Sequence, residues 1–490
     1  MKNKVVKRVM ATALVSAMAV GTVGCGNNAQ TSTDADTTKE VAQESTPAAA
    51  SADTAAETTP ETVVEETPWQ YEVITDESGN PIDLGGMEII VRDWWSSDEE
   101  KEPTNAYEEA RDEYHEWIQD TYNFTIKQVA ISSWASVPED FANYATTGGD
   151  ENYLFVLRQG TELVAAMNSG LMYDLSKLDC LDFTEDKWAN GVHDLLNKGG
   201  AIYGMSANDP EPKGGIYFNK RLLEEAGIDP NVIYDYQENM EWTWAKFEEL
   251  CEKVQADTDN DGVIDRYAMT NFTSDLYPCA VYSNGGEFIG NDGTKYYNDL
   301  ESEETMEALN WVFDMLSKYE MVYPEDAEWD YTYTAFQNGE AVFSCAESYK
   351  AGQWSEMEDD FGFVCFPMGP KMTDYTNVYN DNPFCIPACY DDEKAWKIAF
   401  AYDLWTQPIP GFEDYAGWRA NYLQSFRDTE SVDLTLARLI DNGKVTYHNM
   451  IPGLQLGSDL IWGINADKTP AQKAEEIRNT WAAYLEEANK

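Results

Sequence analysis

The chain has 490 residues, 43% of them hydrophobic and 13% aromatic, with 33 basic against 89 acidic side chains and a formal charge of −56. This composition is globular, and a polyanion of such strength repels phosphate backbones and anionic headgroups, which argues against nucleic-acid binding and against membrane binding through a basic patch. Only His115, His193 and His448 are available, so imidazole-based zinc sites and serine–histidine catalysis lack their usual residue.

Lys2, Lys4, Lys7 and Arg8 precede an uncharged, largely apolar run from Val9 to Val23, too short to span a bilayer as a helix and suited to a secretory signal. The junction Thr22-Val23-Gly24-Cys25 resembles a lipobox, with Thr22 standing where that pattern prefers Leu. Residues 1–25 therefore read as a lipoprotein signal peptide ending at a lipidated Cys25. Residues 26–68 are Thr, Ala, Ser, Glu and Pro with almost no aromatic side chain, an acidic tether that cannot bury enough apolar surface to offset its ordering entropy. Residues 1–25 carry +4 and residues 26–68 carry −8, which leaves −52 on residues 69–490. Beyond Cys25, seven scattered cysteines form a poor disulfide framework and read as small buried hydrophobes, with one bridge left open.

In the body, Glu88 to Val91 reads as a strand, Tyr107 to Tyr122 as a helix, Phe124 to Ala130 as an alternating strand and Tyr153 to Leu157 as a third apolar run. Strands alternating with helices imply an α/β fold with parallel, doubly wound sheets, and ligands then sit at the carboxyl ends of the strands. Ile216 to Phe218 leads into Asn219 and a short helix closed by Gly227, and Phe247, Leu250, Cys251 and Val254 share one face of the next helix. Near the end, Thr469-Pro470-Ala471-Gln472 has capping-box spacing ahead of a stripe of Ile477, Trp481 and Leu485.

The run Gly214 to Asp229 followed by Trp242 to Val254 resembles the strand, helix and "TWDEF" helix succession of family 1 extracellular solute-binding proteins, the carbohydrate receptors of ABC importers. Ala335 to Cys345 is similar to the "F-x-x-G-x-A-A-M" segment of that family, Phe361 to Pro370 to its hinge strand and Asp467 to Ile477 to its closing helix. The resemblance implies a maltodextrin-binding-protein-like, two-lobed periplasmic-binding-protein fold, its doubly wound sheets joined by hinge crossings near Asp209 to Gly214, Phe366 to Pro370 and Thr406 to Pro410. Lobe I would comprise residues 85–212 and 367–406, and lobe II residues 213–366 and 407–490. It also implies a monomeric binding protein without enzymatic activity, lipid-anchored on the outer face of the cell membrane. The partners implied are a neutral oligosaccharide and ABC permease subunits on separate chains, with membrane contact through the anchor alone.

Sugar binding needs aromatic plates for the C–H face of a pyranose and polar groups for its hydroxyls. Asp93, Trp94 and Trp95 directly follow the first strand, Trp134 the second and Arg158 the third, so all are expected at one rim. Asn208 and Glu211 lie at the first crossing. Glu347 and Tyr349 follow the Ala341 to Phe343 strand, where the family tends to place a stacking aromatic, and Asp381, Trp418 and Trp462 complete the ligand-binding candidates.

The sequence Asp257 to Asp265 resembles an EF-hand-type calcium loop: Asp257, Asp259 and Asp261 alternate, Gly262 takes the sharp turn, the Val263 carbonyl faces inward and Asp265 stands at the ninth position. A structural Ca2+ is expected, although Ala268 replaces the Glu of the twelfth position. The rival reading is a secreted carbohydrate-active enzyme of the glycoside hydrolase type, since paired carboxylates also suit that chemistry. A peptide or another polar solute in the same fold stays open as ligand. No P-loop, H-E-x-x-H or G-x-S-x-G spacing occurs.

Overall fold

Met87–Asp93 (β1) alternates, burying Ile89, Val91 and Asp93, and it pairs in parallel with Phe124–Ala130 (β2) and Asn152–Val156 (β3). Parallel neighbours require long crossovers, supplied by Ala106–Tyr122 (α1) and Val137–Thr147 (α2). The first starts where the Asn105 side chain accepts the Glu108 amide at 2.9 Å and stops at Asn123, which has φ 54°. The computed structural model describes residues 71–97, 102–188, 192–207, 212–379, 382–412, 419 and 422–490. The signal peptide, Cys25 and tether expected for residues 1–68 lie outside the described residues, as do Asn208, Glu211, Asp381 and Trp418.

A late returning strand, Phe384–Cys385, adds antiparallel to β3 and completes a four-stranded sheet. Helix Asp392–Trp405 packs into the same apolar cluster as β1 and α1, through Ile398, Ala399 and Tyr402. This is lobe I.

Lobe II is built on Gly215–Asn219 (β4), Tyr267–Met269 (β5), Ala341–Ala346 (β6) and Phe361–Cys365 (β7), in the order β7-β4-β6-β5. Here β5 and β6 are parallel, whereas β4 runs antiparallel to both β6 and β7. The doubly wound parallel arrangement thus applies to β1, β2 and β3, while the second sheet is mixed. The reason lies in the route of the chain: β4 starts from the crossing, at the end of the sheet where β5 and β6 finish. Gly214 turns the chain there with φ 64°, and a Cβ at that position would lie 2.1 Å from the Cys279 Sγ.

Trp244–Val254 (α4) buries Phe247, Leu250, Cys251 and Val254 on the expected face, and each such apolar side chain contributes about 1.5–3 kcal/mol. The last helix, Pro470–Ala488, carries the capping box: the Thr469 amide donates to Gln472 Oε1 at 2.9 Å and the Gln472 amide to Thr469 Oγ1 at 3.4 Å. Its stripe of Ile477, Trp481 and Leu485 is buried in lobe II.

Three short strands, Pro212–Lys213, Asn377–Tyr379 and Gly443–Lys444, form a separate sheet in which Val378 pairs with Lys213 on one side and Lys444 on the other. Residues 366–370, where the second crossing is expected, are held by lobe II: the Trp244 amide donates to the Met368 carbonyl at 3.1 Å and the Gly369 amide to that of Ser283 at 2.9 Å. Further on, Ile409 still packs in lobe I and Phe426 in lobe II. The chain then touches both, with Met450 in a lobe I cluster and Ile451 and Leu454 in the lobe II core. The seven cysteines of the body are unbridged, and five are buried. Among the described residues no helix is long and apolar enough to cross a membrane.

Candidate functional site

The carboxyl ends of β1, β2 and β3 carry the predicted rim of lobe I. Asp93 is fully buried and accepts from Gln128 Nε2 at 2.7 Å, from the Ser96 amide at 3.2 Å and from the Ser96 hydroxyl. Its oxygens therefore tie down the loop that carries Trp94 and Trp95. Trp94 packs against the lobe I clusters, and its ring meets that of Trp95 edge-on at 4.8 Å, leaving Trp95 half exposed. After β2, Trp134 is 59% exposed, and the Arg158 guanidinium lies 4.4 Å from its ring centroid. Arg158 also meets Glu162 at 3.1 Å, on the helix Thr161–Asn168 (α3), so charge and stacking hold one face of the Trp134 plate.

In lobe II the helices Thr273–Ser283 (α5), Glu303–Tyr319 (α6) and Tyr331–Gln337 (α7) surround the end of β5. A cavity of about 600 Å³ opens there, walled by Phe272, Trp329, Tyr331 and Trp462. Trp329 and Trp462 are 75% and 62% exposed, and the Trp462 Nε1 donates to the Ser274 hydroxyl at 2.9 Å. The floor is polar. The Asn271 carbonyl oxygen Oδ1 accepts the Cys345 amide at 2.8 Å, while its Nδ2 and its backbone amide donate to Glu320 at 2.8 and 2.7 Å. Tyr323 donates to Glu320 as well, and Thr270, Thr332 and Tyr323 share hydroxyl contacts of 2.9–3.0 Å.

Burial dominates the Glu320 carboxyl and pushes it up to about 7, against the opposing hydrogen bonds from Tyr323 and Asn271. Burial likewise lowers the Lys350 ammonium, which sits 3.6 Å from the Tyr333 ring centroid and donates to Gln353 Oε1 at 3.0 Å. Glu347 and Tyr349 stand on the loop after β6, where the Tyr217 hydroxyl donates to the Glu347 carbonyl at 3.1 Å and Tyr349 is 41% exposed. Of the predicted ligand residues described, Trp462 alone lines the lobe II cavity. Trp329, Asn271 and Tyr323 line it too, and sequence reasoning passed over them. Hydrogen bonds join the lobes at Gln159–Asn449, 3.4 Å, and Thr161–Gln455, 3.0 Å.

The acidic loop after α4 brings Asp257, Asp259 and Asp265 together, with one carboxylate oxygen from each lying within 4.8 Å of the others. Asn260 and Gly262 turn the chain with φ 63° and 94°. Asp257 accepts the Gly262 amide at 2.8 Å, and Asp265 accepts the Thr258 amide and hydroxyl, each at 2.8 Å. Asp261 stands outside the trio, with its Oδ1 taken by the Val263 amide at 2.8 Å, and the Val263 side chain is exposed.

Several solved structures share the fold. UgpB from Mycobacterium tuberculosis, solved in complex with glycerophosphocholine, superposes with a TM-score of 0.56 at 14% identity, covering 77% of this chain and 95% of that one. The cyclic alpha-maltosyl-1,6-maltose binding protein of Arthrobacter globiformis gives 0.55 at 15% identity, covering 83% and 98%. The GacH receptor of Streptomyces glaucescens, solved unliganded and with acarbose, gives 0.54 at 14% identity, covering 82% and 99%. No curated protein matches by sequence. The sequence profile described as bacterial extracellular solute-binding protein matches residues 105–422, about two thirds of the chain, and with the two-lobed architecture this places the protein in that family.

Proposed function

We propose that this protein captures an oligosaccharide in the lobe II cavity, with the aromatic rim of lobe I as the opposing surface, and delivers it unchanged to an ABC importer whose permease subunits are separate chains. The observation that carries this reading is the cavity's construction. Trp329, Trp462, Phe272 and Tyr331 offer apolar faces, while Asn271, Tyr323 and Thr332 offer hydroxyl and amide groups, the two surfaces that a pyranose presents in mirror image. The Arthrobacter and Streptomyces proteins of this fold bind a cyclic maltosyl-maltose and acarbose.

Trp94, Trp95, Trp134 and Arg158 belong to the proposed site from lobe I, Glu347 and Tyr349 from lobe II, and Asn208, Glu211, Asp381 and Trp418 on sequence grounds. The family is extracellular; we add that a lipid on Cys25 holds the monomer at the outer face of the membrane. We also infer that Asp257, Asp259 and Asp265 hold a structural calcium ion, since three carboxylates so close together repel one another until a cation joins them.

A thermal-shift screen against oligosaccharides, with product analysis of each hit, tests the function. The expected result is a raised midpoint with the sugar recovered intact, and loss of at least about tenfold in affinity for Trp462→Ala and Trp329→Ala. Release of shorter sugars would establish the hydrolase reading instead, and hits confined to peptides would move the ligand to another class.

A further inference from the structure

Charge distinguishes this cavity as much as shape does. Among the described residues that line it, none is Lys, Arg or His, while Glu328 is in its wall. Directly behind the floor, Glu320 holds Asn271 and Tyr323 with three hydrogen bonds, so it fixes the polar groups that a bound molecule would meet. The neighbouring base Lys350 is occupied with the Tyr333 ring and Gln353. Around all this, residues 69–490 carry −52. An anion brought against this largely aromatic, partly open wall beside Glu328 would meet like charge and gain no counter-charge, whereas an ammonium would be attracted to the Glu328 carboxyl and to the faces of Trp329 and Trp462.

We infer that the lobe II cavity discriminates by charge: it accepts a saccharide unit that is neutral or bears an amine and disfavours one bearing a carboxylate or phosphate, with Glu328 as the specificity-determining residue and Glu320 as a positioning residue. This rests on the saccharide reading above and narrows its substrate class. Glu328 acts from the wall, and Glu320 acts through Asn271 and Tyr323, which it orients. Rejection needs only a like charge placed beside the site with no base to offset it, whereas attraction needs a matched contact.

The test uses the lipid-free full chain. Neutral di- to tetrasaccharides are screened by isothermal titration, and each that binds is compared with its C6-oxidised uronate and its 2-amino counterpart. The expected result is a uronate at least about tenfold weaker than the neutral sugar, an amine at least equal to it, and a smaller uronate penalty in Glu328→Gln, an exposed position whose substitution leaves the fold intact. Glu320→Gln should also raise KD for the neutral sugar, because Gln cannot accept from all three donors. A uronate that binds within tenfold of its neutral parent overturns the inference while leaving the saccharide function standing. So does a penalty unchanged in Glu328→Gln. If no saccharide of any charge binds, the functional reading itself falls and the inference with it.

Discussion

A carboxyl closed off behind Asn271 and Tyr323 responds to pH differently from one on the surface, and Glu320 provides a direct test. Burial lifts it from an ordinary 4.5 to about 7. The folded state therefore holds its proton between those values while the unfolded chain has lost it, so this group's contribution favours folding at pH 4.5 and is progressively lost up to pH 7. The full effect is about 3 kcal/mol. Glu320→Gln cannot titrate, so urea unfolding at pH 5 and pH 8 should show the stability difference moving in the variant's favour at the higher pH. A difference that stays constant would show that Glu320 is not buried as described. At this scale legibility was uneven. Trp462 was legible as one more aromatic in the last third of the chain. Trp329 was not, since it follows a helix and a polar loop, where a strand-end rule does not search. Glu320 ends the α6 pattern and reads as one more surface acid, and only its enclosure beneath Tyr323 and Asn271 makes it special.

Elements whose signals are local came out as the sequence implies. The left-handed Gly227 after the helix that follows β4, the buried face of α4 and the Thr469 capping box depend on neighbours three or four residues apart. The acidic loop is local in the same sense, and its prediction belongs here. The base of this loop is already pinned without an ion, because the Ala256 carbonyl accepts the Asp265 amide at 3.0 Å and the Arg266 amide at 3.1 Å. Calcium should thus tighten residues 257–265 without being needed for folding. At ten times its dissociation constant it adds about 1.4 kcal/mol. Chelation should lower the thermal midpoint by about 1–3 °C and raise hydrogen exchange in the loop, and Asp257→Asn should abolish both responses. No calcium response in the wild-type protein would remove the ion from the account.

Across the molecule, the excess of acid is unevenly compensated. Its ion pairs are mostly exposed and worth about 0–1 kcal/mol each, whereas −52 on one body repels itself throughout. Raising sodium chloride from about 20 to 200 mM should therefore stabilise the protein, since screening shortens the Debye length to about 7 Å and weakens the long-range repulsion more than the close pairs. A lower midpoint in salt would mean that the ion pairs outweigh the net charge.

The sequence by itself determined the α/β class, the family, the order of strands and helices in lobe I and the caps that bound the helices, because each follows from contacts between residues close in the chain or from a pattern repeated along it. Tertiary structure alone decided where the chain passes between lobes. The segment at 366–370 is held by backbone bonds to Trp242, Trp244 and Ser283, residues 80 or more positions earlier. It also decided that Asp93 faces inward while Trp329 faces a cavity. Side chains separated by a hundred residues meet only after both sheets have closed, and no local spacing encodes which of them will share a wall.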